Sequence, residues 1–228
     1  MISIICASNN EEILNDNLIK SLKEQTYKDY ELIVVDTLKN HYEGACDALH
    51  SGALKAKGEY LLFCHHDINF LDKNSLKDIV DNIEEAGIIG VAGIRDRNHL
   101  IGNILNGINK EPVGESIEKS EEVFSIDEVL FIIKRDFYLK HPLNLNNKTW
   151  HLYAVEYALE MHELNKKVLV IPARIYHKSD GLSLNKSYFI YLKKLIKKYK
   201  KYKCIYTTVG SFYTNKILFE LQMIKRKI

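Results

Sequence analysis

The 228-residue sequence predicts an α/β protein, a mixed and mostly parallel sheet with helices on both faces, followed by a basic helical tail. Three observations carry that prediction. Over the first ninety residues, apolar runs of four or five residues alternate with longer amphipathic segments, the pattern of strands joined by right-handed helical crossovers. The apolar runs show no polar alternation, as strands covered on both faces require. A 46% hydrophobic composition with eight Phe, fourteen Tyr and one Trp can fill one sizeable core, while three Pro and eleven Gly argue against disorder or fibrous repeats.

Residues 2–6, 31–35 and 60–64 read as strands, and 11–25 and 44–57 as the helices between them. A helix over 75–86, stopped by Gly87, leads to a strand over 88–92. Residues 93–125 dissolve into Gly, Asn and charged side chains, a stretch too long for an ordinary connection and expected to be a functional loop or insertion. Regular structure resumes with a strand over 129–133, a helix over 153–164 and a strand over 168–171 that ends at Pro172. Two amphipathic helices, 187–203 and 211–226, parted near 207–210, follow. The expected division is a main domain over 1–185 and a basic extension over 186–228.

The net charge of +2 hides an asymmetry: residues 181–228 hold twelve Lys or Arg against one acid, Glu220. Such an end on an acidic body is a candidate surface for anionic lipid, nucleic acid or an anionic substrate, or simply a solvated helix face. Leu192, Leu195, Ile196 and Tyr199 recur at helical spacing opposite lysines, which suits peripheral contact with a membrane or packing on the chain's own domain. Nucleic acid is not expected, because no nucleic-acid motif accompanies the charge. Cys6, Cys46, Cys64 and Cys204 show no CxxC pairing and suit a reducing cytoplasm. The N-terminus enters a strand without a signal-peptide pattern, and no apolar run approaches the ~20 residues of a membrane span. The expected location is the cytoplasm, with possible contact at the inner face of the membrane.

The most informative segment is Cys64-His65-His66-Asp67, where an apolar strand ends in polar side chains. His65 and Asp67 are two apart and point the same way, so imidazole and carboxylate can share a divalent cation. Open α/β sheets bind ligands beyond the carboxyl ends of their strands, which is where this tip lies. Asn9 and Asn10 can cap the following helix or touch a ligand. Trp150 is either an aromatic wall on which a ligand stacks or part of the core. His50, His99, His141 and His162 read as ordinary surface residues.

The order of motifs resembles the inverting, nucleotide-sugar-dependent glycosyltransferases of family 2, and most closely the branch related to a streptomycin-biosynthesis protein. The opening Ser3-Ile4-Ile5-Cys6-Ala7-Ser8-Asn9-Asn10-Glu11-Glu12 is similar to the family's first strand and turn, without its Pro and Tyr. Val34-Val35-Asp36 matches the strand ending in V-V-D, and Ala56-Lys57-Gly58-Glu59-Tyr60 matches A-x-G-E-Y before a C-H-x-D version of DxD. The resemblance implies the GT-A fold, which is Rossmann-like, and transfer of a sugar from a nucleotide donor, most simply a UDP-sugar, to a glycan or lipid-linked acceptor. It implies nucleotide contacts from Ala7, Ser8, Asn10, Asp36, His65 and His66. It also implies a Mn²⁺ or Mg²⁺ ion on Asp67, His177 and His65, since a cation offsets the charge of a departing diphosphate. The family's base falls at Ala154, so Glu156, Asp127 and His151 are the alternatives. Loss of that base would leave a module that binds nucleotide sugar or glycan without turning it over.

Overall fold

The computed structural model describes residues 1–83, 85–179 and 185–225. Strand β1 (Ile2–Ser8) leads into helix α1 over residues 11–23, whose middle, Asn15–Ile19, widens into a π turn. β2 (Tyr30–Asp36), α2 (Ala45–Ala53) and β3 (Tyr60–Cys64) complete the expected βαβαβ unit. Next come β4 (Ile68–Phe70), α3 (Ser75–Asp81), β5 (Ile88–Gly90), β6 (Ala92–Asp96) and β7 (His99–Gly102). β8 (Ile104–Asn106), β9 (Glu111–Val113), β10 (Glu121–Glu122) and β11 (Ser125–Ile126) are short. β12 (Leu130–Lys134), α4 (Arg135–Lys140), α5 (Tyr153–Glu163), β13 (Val168–Val170) and β14 (Ile175–His177) close the body. The tail holds α6 (Lys186–Lys198), β15 (Cys204–Thr207), β16 (Gly210–Tyr213) and α7 (Lys216–Lys225).

The main sheet has seven strands in the order β10-β13-β5-β12-β3-β1-β2. Successive residues supply opposite faces, as a period of two demands. Ile5, Leu61, Phe63, Phe131 and Ile133 pack under α2 and α5, while Ile4, Leu62, Leu130 and Ile132 pack under α1 and α3. Gly58 passes so close to β1 that a β-carbon would lie 2.5 Å from the Ser3 amide nitrogen. That approach, with Gly58 N–H donating to Ser3 Oγ at 2.8 Å, accounts for the glycine before β3.

Two expectations need correction, while the main sheet is mixed as expected: β1 pairs parallel with β2 and β3, and β5 with β13, and β12 runs antiparallel between β3 and β5, and β10 antiparallel to β13. A strand buried on both faces has the same apolar run in either direction. Residues 93–125 are not a loop but contain the antiparallel pairs β6–β7 and β8–β9, whose strands are too short to show a period. Gly114, at φ +73°, follows β9 where the chain passes β7, and a β-carbon there would meet the Leu100 carbonyl oxygen at 2.3 Å. In the tail, the expected second helix starts only at Lys216, because 204–213 form the hairpin β15–β16; Arg226 and Glu84, included in expected helices, lie outside the described residues.

The tail is folded onto the body. Tyr188, Tyr191, Leu192, Leu195 and Ile196 of α6 pack against Leu152, Val155 and Leu159, and Ile205, Phe212, Phe219 and Met223 extend the same cluster. Glu156 anchors this contact: its buried carboxylate accepts from Tyr191 Oη at 2.6 Å, Asn144 Nδ2 at 2.9 Å and Lys198 Nζ at 3.0 Å. Removing it strands the buried Tyr191 hydroxyl and the half-buried Asn144 amide, so Glu156→Ala should cost about 3 kcal/mol in urea unfolding and speed proteolysis within the tail. Glu156→Gln, which keeps hydrogen-bonding capacity, should cost less. Equal stability of Glu156→Ala and the parent would contradict the anchoring role.

Candidate active site

The polar tip after β3 meets the end of β14. β14 runs antiparallel to β4 with His177 opposite Ile68, which carries His177 beside Asp67 although 112 positions separate it from His65. His177 Nε2 lies 3.2 Å from His65 Nδ1 and 3.4 Å from Asp67 Oδ1, and His65 Nδ1 lies 4.0 Å from the same oxygen. One ligand atom from each falls within 4.8 Å of the others, the only such triad among the described residues. Asn106 Oδ1, 2.9 Å from His177 Nδ1, accepts a hydrogen bond from that nitrogen and turns Nε2 towards the cluster, the arrangement that orients metal-binding imidazoles. Two imidazoles and one carboxylate fit a divalent ion, and their nitrogen content favours Mn²⁺ over Mg²⁺.

The charges within the triad are set by burial and by one another. Desolvation in the cleft, reinforced by His177, pushes His65 down to about 4. Burial alone would raise Asp67, but the hydrogen bond and charge of His177, with help from His65 and His66, outweigh it and hold the carboxyl at about 2. Burial also lowers His66.

On the neighbouring strand ends, Ser8 Oγ lies 2.8 Å from His66 Nδ1, and Ser8 stands in register with Asp36. Asp36 accepts from the amides of Leu38 at 2.9 Å and Lys39 at 3.0 Å and pairs with Lys39 Nζ; these contacts, the Lys39 amide foremost, keep it below the usual carboxylate range. It lies on β2, two strands from β3 and thus about 10 Å away across the sheet. Ala7 packs against the core beneath α2. Asn10 is committed as a helix cap, its Oδ1 accepting from the Ile13 amide at 3.0 Å, so the expected ligand contact loses that oxygen.

His65 and His177 also border a cavity of about 250 Å³, into which Asp127, Glu128, His151 and Thr208 project. Asp127 Oδ1 accepts from the Val129 amide at 3.0 Å and Oδ2 from Thr208 Oγ1 at 2.5 Å. Glu128 Oε1 is buried without a hydrogen-bond partner, and burial, aided by neighbouring Asp127, raises its pKa well above normal. His151 is buried at the cavity wall. Leu152, before α5, adopts the left-handed conformation at φ 63°, a strained backbone at the edge of the site.

Two sequence expectations change here. Glu156 is not among the residues around the cavity; it is spent on the tail, as its place two residues beyond Ala154 on a helix implies. Trp150 is exposed and lines neither cavity nor core. Ala154 itself is fully buried in the core. Asn106, Glu128 and Thr208 escaped the sequence reading. Glu128 had a signal, its place beside Asp127, whereas Asn106 and Thr208 sit in segments read as irregular.

A sequence model described as a glycosyltransferase-like family matches residues 3–206. No curated protein sequence matches significantly. Among solved structures, S. aureus TarS in complex with UDP-GlcNAc superposes with a TM-score of 0.61 at 16% identity, covering 86% of this chain and 66% of TarS residues 1–349. GalNAc-T7 with UDP, GalNAc and Mn²⁺ gives 0.63 at 14%, covering 85% and 47%. The mannosyltransferase PcManGT of Pyrobaculum calidifontis, with GDP-Man and Mn²⁺, gives 0.56 at 12%, covering 88% and 63%. The chain therefore spans less than two thirds of the length of these structures, and at such identities the likeness shows the GT-A fold. No described helix is long and apolar enough to cross a membrane. The family match over most of the chain decides the matter: this protein belongs to the glycosyltransferase-like family.

Proposed function

We propose that the chain transfers a sugar from a nucleoside diphosphate donor, a UDP-sugar first, to an acceptor hydroxyl with inversion at the anomeric carbon. The observation that carries this is the convergence of His65, Asp67 and His177 at the rim of a cavity that also receives the Asp127 carboxylate. The structures of similar fold bound to UDP-GlcNAc and GDP-Man support the donor class. The segment Cys64-His65-His66-Asp67 supports the narrower branch related to streptomycin biosynthesis.

Held by His65, Asp67 and His177, Mn²⁺ or Mg²⁺ would supply positive charge against the departing diphosphate. Ser8, His66 and Asp36 span the strand ends where the nucleoside lies, the ~10 Å between β2 and β3 suiting a base and ribose set apart from the phosphates. Asp127, fixed by Thr208 and the Val129 amide, takes the proton of the acceptor hydroxyl. Burial raises the Glu128 carboxyl well above the usual carboxylate range and disfavours its ionised form, which leaves Asp127 as the acceptor of that proton. His151 lines the acceptor side and orients it. The acceptor is a glycan or a lipid-linked saccharide reached from the cytoplasm, with residues 1–185 as transferase domain and 186–228 as an extension that closes it.

A second reading, a module that binds nucleotide sugar without turnover, draws on the burial of Ala154 in the core, which removes any carboxylate from the family's base position. Activity separates the two. UDP with Mn²⁺ should raise the melting temperature, chelator should abolish the rise, and Asp67→Ala should weaken UDP binding at least tenfold; absence of metal-dependent UDP or GDP binding contradicts both readings. Asp127→Asn should lower turnover about 10²- to 10⁴-fold with UDP affinity kept. Metal-dependent binding without turnover by the parent would select the second reading.

The His65 ring gives a separate check. Its folded value near 4 lies below the ordinary 6.5, so the neutral form is favoured and the folded state loses stability as pH falls from 6.5 towards 4. NMR titration of the metal-free protein should place the His65 midpoint below 6.5, towards 4, and a midpoint at or above 6.5 would contradict the desolvation of that ring.

A further inference from the structure

Helix α7 is apolar on two sides. Phe219 and Met223 are buried in the cluster that joins the tail to α5. On the outside, Ile217, Leu221 and Ile224 recur at i, i+4 and i+7 and are 71%, 52% and 71% exposed, with Leu218 exposed beside them. Single exposed apolar residues are unremarkable, but four within two and a half turns form a continuous patch that asks for a partner.

A ridge of lysines flanks this patch. On the outer side of α6, Ile190, Lys193 and Lys197 fall on one line at i, i+3 and i+7, all exposed. Lys193 Nζ lies 3.8 Å from Glu220 Oε1 and 5.9 Å from the centre of the Phe219 ring, which fixes that line alongside α7. Lys216 and Lys225 close the two ends of the helix, and Glu220 is the only acid in residues 181–228. Apolar stripe and basic border match a bilayer rich in anionic lipid, where aliphatic side chains enter the headgroup boundary and ammonium groups meet phosphate.

We propose that the outer face of α7, bordered by the lysines of α6, is the docking surface of this protein for an anionic lipid bilayer. The contact belongs to α7 and not to the apolar stripe of α6, which is consumed by packing on α5. It stands on the tail's surface alone and is independent of the transferase reading.

Vesicle flotation tests it, using phosphatidylcholine vesicles with and without phosphatidylglycerol. The protein should bind the mixed vesicles, leave the neutral ones, and be released as salt rises to about 0.5 M. The triple variant Ile217→Ser, Leu221→Ser, Ile224→Ser should lower binding more than tenfold without changing the melting temperature, because these side chains are exposed. The pair Lys193→Gln, Lys197→Gln should lower it about tenfold. No binding, or equal binding to both vesicle types, overturns the proposal. So does a dimer in sedimentation velocity that the serine variant dissolves, which would assign the stripe to a second copy of the chain. Loss of UDP binding with vesicle binding intact would leave this surface standing while the transferase reading fell.

Discussion

The meeting of His65, Asp67 and His177 is the contact on which the functional architecture turns. Neither strand end can form it alone. β3 delivers two of the groups and β14 the third, and the pairing of β14 with β4 and β8 sets the distance between them. β8 also brings Asn106, whose side chain fixes which nitrogen of His177 faces the carboxylate. A small second sheet, β4-β14-β8-β9, lies beside the main one, and its register brings His177 to His65 and Asp67.

The tail completes the site as well as covering the body. Tyr188, Thr207 and Thr208 belong to the tail yet surround the cavity, and Thr208 reaches the Asp127 carboxylate. The buried Glu156 holds α6 in place for that purpose. A carboxylate taken so far from water is tolerated because a hydroxyl, an amide and an ammonium group share its charge. The cavity wall and the tail are therefore joined through Glu156, one turn from the strained Leu152, through the apolar cluster around it and through the Thr208–Asp127 hydrogen bond.

Much of this was legible in the residues. β1, β2, β3 and β12 are apolar runs with polar ends, and α1, α2 and α5 carry a helical period, so the sheet and both helical layers could be read directly. His65 and Asp67 drew attention as polar side chains two apart at a strand end, whereas His177 was singled out only through the family resemblance. Strand direction was not, since β12 looks the same either way. The hairpins within 93–125 were hidden by strands of two to five residues whose partners, not their own patterns, define them. Glu156 was misread because spacing on a helix tells which way a side chain leaves but not what packs there: Tyr191 and Lys198 lie 35 and 42 positions away. For the same reason the stripe of α6 offered no choice between membrane and domain until its neighbours on α5 were known.

A crystal structure of the protein grown with UDP and Mn²⁺, with anomalous scattering recorded for manganese, tests the central claim most directly. The account predicts one manganese peak within bonding distance of His65, Asp67 and His177, bridged to the diphosphate, with the uracil lying towards Asp36. Manganese and diphosphate bound together elsewhere on the surface, with no metal on the three side chains, would contradict it.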